Sequence, residues 1–147
     1  MSDQLRLLAE DAADLDVIAS AAQDALVRMG DLAFDAKARR FSAMLNRFRW
    51  EKVNGAGGPY ERVRAALSFE SVLGVKSKKL RTTAPDALAS LLSLSFAVDA
   101  EPPSGVVNLT FAGGGEIALQ VECLDVVLAD LGDPWPTPRR PDHEKSA

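Results

Sequence analysis

Four arginines near the middle of the chain could together bind an anion: Arg47, Arg49, Arg62 and Arg64. They alternate along two predicted neighbouring strands, and one antiparallel register across the intervening loop sets Arg49 opposite Arg62. The same register sets Arg47 opposite Arg64. Like charges directly opposite each other destabilise a sheet, whereas guanidinium groups bind phosphate and carboxylate oxygens bidentately. This register therefore predicts an exposed face that binds an anion.

The net charge of −4 hides an uneven distribution along the chain. The net charge is −5 over residues 1–27, +8 over residues 28–81 and −7 over residues 82–147. Two interpretations of the basic segment stay open. Either the segments neutralise one another, with Glu61, Glu70 or acids of the terminal segments beside the arginines, or the basic segment forms a face. Such a face would suit a phosphate, a lipid headgroup, a nucleic acid or an acidic partner.

The chain offers few residues for catalysis. His143, the single histidine, lies in a Pro-rich tail, where a general base is not held in place. Cys123 lies at a predicted strand-to-helix junction, where a helix N-terminus could lower the pKa of the thiol, but no histidine is predicted beside it. No spacing matches a metal motif, and the glycines at residues 54–58 and 113–115 are typical of turns. We therefore predict no catalytic, cofactor-binding or metal-binding residue.

Apolar periodicity predicts the elements that position these side chains. Helical spacing predicts a helix over residues 12–25 and a second over residues 123–131. The second helix would bury Leu124, Val127, Leu128 and Leu131. Period-two alternation predicts six or seven strands, over residues 5–9, 32–34, 41–51, 60–69 with a bent or separate continuation at 72–75, 92–98, 107–111 and 117–121. The basic run at residues 76–81 is typical of a solvated strand end.

The predicted strand over residues 41–51 contains an irregularity. Its apolar residues begin in the phase of Phe41 and end in the phase of Phe48. A strict period of two would place Arg47 on the same face as Phe41. A β-bulge near residues 45–46 would shift the phase by one residue and avoid this, so a bulge is predicted there.

The order of elements predicts an α+β fold. We expect a mostly antiparallel rolled sheet or small barrel of six to seven strands, with one early helix and a C-terminal helix that plugs the open corner. Pleckstrin-homology-like domains have this plan by analogy, and the plan does not fix a function. The pattern predicts one domain over residues 1–132 and a Pro-rich extended tail over residues 133–147.

Composition narrows the class of protein. The 147 residues are 47% hydrophobic and 26% charged, which is typical of a globular domain. One cysteine excludes an internal disulfide and favours a reducing compartment, and the N-terminus does not resemble a signal peptide. The longest uncharged run, residues 102–115, is shorter than the ~20 residues of a membrane span. We therefore expect a cytoplasmic protein.

Several stretches resemble a known family. They are LRLLAEDAADLDVIASAAQDA, FSAMLNRFRWE, RVRAALSFESVLGV, LTFAGGGEIALQVECL, and ADLGDPW with RRPDHE. The chain is similar to an uncharacterised, mostly alphaproteobacterial family catalogued as domain of unknown function 2948. The resemblance covers nearly the whole chain and implies a bacterial cytoplasmic protein that stands as a single domain. It implies no catalytic residue, cofactor or substrate.

These observations favour a non-catalytic binding or interaction module. Its basic face would accept an anionic ligand or an acidic partner, such as an acidic protein or a phosphorylated ligand. Nucleic-acid binding is the alternative, with Phe48 and Trp50 as stacking groups, although the acidic pI and the inward strand phase of both residues oppose it. An enzyme that uses His143 or Cys123 is the third hypothesis, and a homo-oligomer stays open.

Overall fold

The computed structural model describes residues 4–52, 60–138 and 141. In this part of the chain, one nine-stranded antiparallel sheet accompanies one α-helix, α1 (Ala12–Ala22), and one 3-10 turn (Trp50–Lys52). The strands are β1 (Arg6–Ala9), β2 (Leu26–Asp35), β3 (Arg40–Phe48), β4 (Tyr60–Phe69), β5 (Val72–Lys78), β6 (Leu88–Val98), β7 (Gly105–Phe111), β8 (Glu116–Val121) and β9 (Val126–Thr137). Their order across the sheet is β1-β9-β4-β3-β2-β6-β7-β8-β5.

The predicted rolled sheet or barrel of six to seven strands with a C-terminal plug helix is wrong. The sheet is open and has nine strands, and residues 126–131, predicted as helix, begin β9. The pleckstrin-homology-like plan is therefore also wrong, because it requires a helix at residues that form β9. Leu124 and Leu128 are buried as predicted, but Val127 is only half-buried and Leu131 is exposed.

Residues 126–131 form a strand because they pair on two sides. β9 pairs with β1 and also with β4, so sheet neighbours satisfy backbone groups that a short helix end would leave unpaired. The buried residues Val126, Leu128 and Asp130 alternate with half-buried ones, as a strand requires.

The antiparallel pairing and the early helix are confirmed. Asp11 caps α1, because its Oδ1 accepts a hydrogen bond of 2.8 Å from the Asp14 backbone N–H, as Asp does at helix N-termini. Leu15 and Ile18 form its buried stripe. The helix ends three residues earlier than predicted, shortly before Asp24 takes a φ of 63°. At 11 residues, α1 is short, and no helix in the described ranges could span a membrane.

The two halves of the sheet pack on one core. β2 joins β6 only through Leu26–Arg28 opposite Leu88–Ser90. Side chains from both sides of this joint belong to one buried cluster, which includes Phe69 of β4, Ile117 of β8 and Ile18 of α1. The sheet therefore contributes one apolar face from each half to the same core.

The bulge predicted near residues 45–46 is also wrong. β3 pairs with β4 without interruption from Phe41 opposite Phe69 to Phe48 opposite Arg62. The irregularity lies in β2 instead, where the pairing with β3 shifts between Val27 and Leu32. β3 thus keeps a strict period of two, and Arg47 shares the inward face of Phe41.

The predicted boundary between domain and tail falls inside β9. This strand continues past Gly132 to Thr137 and pairs Pro136 with Glu61 of β4. Residues 133–137 are extended, but as part of the sheet. His143 lies outside the described residues.

Because residues 126–131 form a strand, Leu128 and Leu131 should differ in their contribution to stability, whereas a helix would bury both. Leu128→Asp puts a charge at a position with 0% exposure and should lower the free energy of unfolding by several kcal/mol, on the order of 3 or more. Leu131→Asp, at 40% exposure, should change it by about 0.5 kcal/mol or less. Urea unfolding of both variants checks this, and equal losses would contradict the strand.

Candidate functional site

Arg47 is buried rather than displayed. Its side chain has 0% exposure and donates to both oxygens of Asp130, from Nε at 2.7 Å and Nη2 at 2.8 Å. It also donates to Glu51, from Nη1 at 3.0 Å and Nη2 at 2.7 Å. Burial disfavours the charged guanidinium, but the hydrogen bonds that Arg47 donates to Asp130 and Glu51 outweigh burial and raise the pKa of Arg47 above its ordinary value. Arg47 is therefore a paired structural cation.

Asp130 extends this network to the edge of the sheet. Its Oδ2 accepts a hydrogen bond of 3.0 Å from the Leu5 backbone N–H, and its own N–H donates to the Leu5 carbonyl at 2.9 Å. The carboxylate thus holds the start of β1 as well as Arg47. A buried charge is tolerated when it is paired and hydrogen-bonded in this way.

Arg49 is also turned inward. Only 4% of the residue is exposed, and its Nη1 forms an ion pair with Glu61. Its Nε lies 3.7 Å from Glu51, which therefore stands between two arginines. Arg49 has no free face for a ligand.

Arg62 and Arg64 point to the opposite side of the sheet. Arg62 Nη1 donates to the Asn46 carbonyl at 3.0 Å, and burial lowers the pKa of Arg62 although the charge of Asp24 raises it. Arg64 donates to the Asn46 side-chain oxygen at 3.2 Å and to Asp31 at 3.0 Å. Both guanidinium groups are therefore anchored within the protein.

The predicted convergence of Arg47, Arg49, Arg62 and Arg64 on one exposed face is not what the structure shows. The register pairs Arg47 with Val63, one residue away from the predicted pairing with Arg64. A shift of one residue moves a side chain to the other face. A strict period of two from Phe41 indicates this arrangement, whereas the predicted bulge would have kept Arg47 off the face of Phe41.

The side chains named in the alternative hypotheses occupy other places. Phe48 is fully buried, and the indole of Trp50 is half-buried and donates to the Gln23 carbonyl at 2.9 Å. Cys123 is half-buried, with its Sγ 3.8 Å from the Ser71 hydroxyl. Among the described residues, no three His, Cys, Asp or Glu side chains could jointly hold a metal ion. His143 lies outside those residues.

A different cation is open to solvent on the outer face of β5. Lys76 is exposed, and its ammonium group makes no hydrogen bond or ion pair with the described part of the chain. It lies directly across from Ala118 of β8, which lies across from Asn108 of β7. The side-chain amide of Asn108 likewise has no hydrogen-bond partner within the described ranges. A cation and an amide therefore flank a methyl group.

The short side chain of Ala118 leaves a depression in this face. Two adjoining cavities of about 360 and 340 Å³ share Lys76 and Ala118 as lining residues, and each is within the ~300–1,000 Å³ range of small-ligand pockets. The first contains Asn108 and a Lys78–Glu116 ion pair of 2.8 Å. The second is lined by less polar residues that include Gly74 and Val106.

The sequence carried a signal for this face that the arginines obscured. Gly74, Lys76 and Lys78 share one phase of β5, opposite to the inward Val75. The sequence predicts residues 76–81 as a solvated strand end. Lys76 lies two residues before the end of the edge strand β5 and is directly across from Ala118 of β8.

Comparison with known proteins identifies the family. Residues 5–143 match the family model described as "Protein of unknown function (DUF2948)". The chain belongs to this family. The resemblance seen in the sequence is thus confirmed, and the family match spans all nine strands, including the Arg47 network and the Lys76 face. Curated proteins and solved structures gave no match.

Removing one partner of the Arg47–Asp130 pair should lower the free energy of unfolding far more than replacing both partners with apolar residues. Asp130→Asn leaves the buried Arg47 incompletely paired and should cost about 3–5 kcal/mol of unfolding free energy, whereas Arg47→Met with Asp130→Leu should recover most of that loss. Arg64→Gln breaks a more exposed pair and should cost ~1 kcal/mol or less. Urea unfolding measures all three, and a near-neutral Asp130→Asn would contradict a structural role for the pair.

Glu51 should account for part of the loss of folding stability at acidic pH. Burial raises its pKa, but hydrogen bonds from Arg47 outweigh this and hold the pKa of Glu51 below its ordinary value of 4.5. The unfolded chain therefore protonates Glu51 at a higher pH than the folded chain does. The stabilisation that ionised Glu51 contributes is present above pH 4.5 and is lost as the pH falls through the pKa of Glu51 in the folded protein.

Unfolding measured from pH 7 to pH 3 tests this. The free energy of unfolding of Glu51→Gln should fall less steeply below pH 4.5 than that of the unaltered protein. Glu10→Gln, at an exposed site, should retain the original slope. Parallel curves for Glu51→Gln and the unaltered protein would contradict the assignment.

Proposed function

We propose that the chain is a non-catalytic binding module that holds an anionic group on the outer face of β5, β8 and β7. The group would lie over Ala118, between the ammonium of Lys76 and the amide of Asn108. One observation carries this proposal: a solvent-exposed cation and an unpartnered amide flank a depression on a single row of the sheet. The arginines of the first hypothesis are not used.

The spacing of the row suits a carboxylate or a phosphate group. β5 and β7 are separated by two strand spacings, about 9.5 Å, with only a methyl group between them. On the outer face, an extended lysine on β5 and an asparagine on β7 can each lean toward the space above Ala118. A small oxyanion there could accept hydrogen bonds from both. A carboxylate or phosphate would thereby gain charge-assisted hydrogen bonds, which are stronger than neutral ones.

The distribution of charge supports the same face. In the basic segment, Arg28, Arg40, Arg47, Arg49 and Arg64 are paired with carboxylates. Lys76, Lys79 and Arg81 make no ion pair with any described residue. The cations of the basic segment that lack a carboxylate partner among the described residues therefore include three at or just after the end of β5, besides Lys37 in the turn after β2.

The chemistry of the face favours an anionic ligand or an acidic partner over a nucleic acid. The residues that line the two cavities include no aromatic side chain, whereas single-stranded nucleic acids are bound largely by stacking. The enzyme hypothesis gains no support from this face, because Cys123 is not among its lining residues. The single cysteine supports a cytoplasmic location, which we include in the proposal.

Binding of citrate and pyrophosphate at low salt tests the proposed site. Lys76→Gln should weaken binding tenfold or more, and Ala118→Leu should block the depression with a similar loss. Lys37→Gln removes the same charge from an exposed turn and should leave binding nearly unchanged. Raising the salt concentration to 0.1 M, where the screening length is about 10 Å, should weaken binding in the unaltered protein.

Isothermal titration calorimetry measures these affinities, and urea unfolding checks that each variant is folded. Equal effects of Lys76→Gln and Lys37→Gln would overturn the proposed site. Failure of both anions to bind the unaltered protein would overturn the proposed function.

A further inference from the structure

Two strand edges remain unpaired near each other. β5 is the last strand of the sheet, and among the described residues no backbone hydrogen bond leaves its outer edge between Gly74 and Lys78. β2 pairs with β6 only at its start, after which Met29 and Gly30 donate to the carbonyls of the segment before β6. Beyond Gly30, the same edge of β2 has no further backbone partner in the described ranges.

An apolar pocket lies between these edges. Its volume is about 160 Å³, and it is lined by Leu32, Ala33 and Phe34 of β2 and by Val75 and Ser77 of β5, with Phe41, Ile117, Met29 and Thr82 completing it. Phe34 is 38% exposed and Ser77 is also exposed. The pocket is therefore open to solvent and large enough for a single aliphatic side chain.

We propose that an extended acidic segment of a partner protein adds to the outer edge of β5 as a tenth strand. Backbone hydrogen bonds to β5 would provide affinity, and alternate side chains would provide specificity, as in other cases of strand addition. One aliphatic side chain would enter the pocket beside Val75. Its neighbours along the strand would face the opposite side of the sheet, where Lys76 and Lys78 lie.

The charge of β5 selects the chemistry of the partner. Lys76, Lys79 and Arg81 have no carboxylate partner in the described part of the chain, and Lys78 is paired with Glu116 across the strand. Opposite charges on neighbouring strands stabilise a sheet, so acidic residues should flank the aliphatic one. This choice of acidic residues rests on the proposed function, whereas the unpaired edge and the pocket do not.

The other edge of the sheet is less suited to strand addition. β1 has only four residues, and short edge strands are a common defence against pairing with other chains. It contributes no residue to the apolar pocket. β5 has seven residues and adjoins that pocket, so we assign the partner to β5.

Lysines on an edge strand also act in some proteins to prevent pairing between copies. If that were their role here, removing Lys76 and Lys78 would cause the chain to self-associate through β5. If they recognise an acidic partner, their removal would weaken binding of an acidic peptide. The two roles thus predict different results for the same variant.

An acetylated and amidated peptide with the sequence TTELETT is a direct probe. It should bind the full chain and slow hydrogen exchange of the amides on the outer edge of β5. Lys76→Gln should weaken its binding tenfold or more, and Thr82→Phe, which adds bulk to a residue that lines the pocket, should weaken it similarly. Thr83→Phe, at the exposed next residue of the same turn, does not line the pocket and is the matched control that should bind normally.

Two altered peptides separate the parts of the interaction. A peptide with N-methyl-leucine at its centre lacks the central N–H donor and should not bind, whereas one with Gln in place of both Glu residues should bind at least tenfold more weakly. Equal binding of the N-methylated peptide would overturn strand addition. Equal binding of the Gln peptide would overturn recognition by the lysines.

Citrate distinguishes failure of this inference from failure of the proposed function. Citrate binding should be retained in Thr82→Phe, which also shows that this variant is folded. If TTELETT does not bind but citrate binding still depends on Lys76, strand addition is overturned and the proposed function stands. If neither binds, both are overturned. The double variant Lys76→Gln/Lys78→Gln tests the alternative role of the lysines. If this variant self-associates and the unaltered chain does not bind the peptide, the lysines serve to prevent pairing between copies, and the assignment of an acidic partner is overturned.

Discussion

The buried ion pair between Arg47 and Asp130 is the interaction on which the rest of the arrangement depends. An arginine with no exposure requires its carboxylate, because an unpaired buried charge costs several kcal/mol. Arg47 lies on β3, Asp130 lies on β9, and β4 separates the two strands in the sheet. Satisfying the pair therefore fixes three strands at once, and the hydrogen bonds between Asp130 and Leu5 add the start of β1.

The same pairing determines what the surface can offer a ligand. With Arg47 and Arg49 turned inward, the basic segment no longer presents its strongest anion-binding groups on one face. Arg64 is occupied by Asp31, and Arg62 by backbone carbonyls. The exposed cations without a partner among the described residues then include those at the end of β5, where Lys76 faces a depression above Ala118. The location of the proposed site follows from which cations the fold has already used.

Local patterns in the sequence predicted the elements that depend on local pairing. Alternation identified β4, β6, β7 and β8 to within a few residues, and helical spacing correctly placed the start of α1 at residue 12. Residues 123–131 were misassigned because Leu124, Val127, Leu128 and Leu131 fit a helical stripe, while the two-sided pairing of β9 is not visible locally. The inward turn of Arg47 was missed for a similar reason, because its partner Asp130 is 83 residues away. The shared phase of Gly74, Lys76 and Lys78 indicated an outward side of β5, but neither the strands beside it nor the pocket could be predicted, since each site combines strands that are distant in sequence.

A buried ion pair is weak evidence for stability, since apolar replacements of similar size are often as stable. Its value here lies in register. The strands around Arg47 are lined inward by apolar side chains, which include Ala43, Leu45, Ala65 and Leu67, so a shift of two residues would still keep an apolar face toward the core. A shift of two residues between β4 and either neighbour would instead separate Arg47 from Asp130 and leave both charges buried and unpaired. The pair thus penalises the slips that apolar packing alone would permit, and it does so in the central strands of an open sheet, where no barrel closure fixes the register.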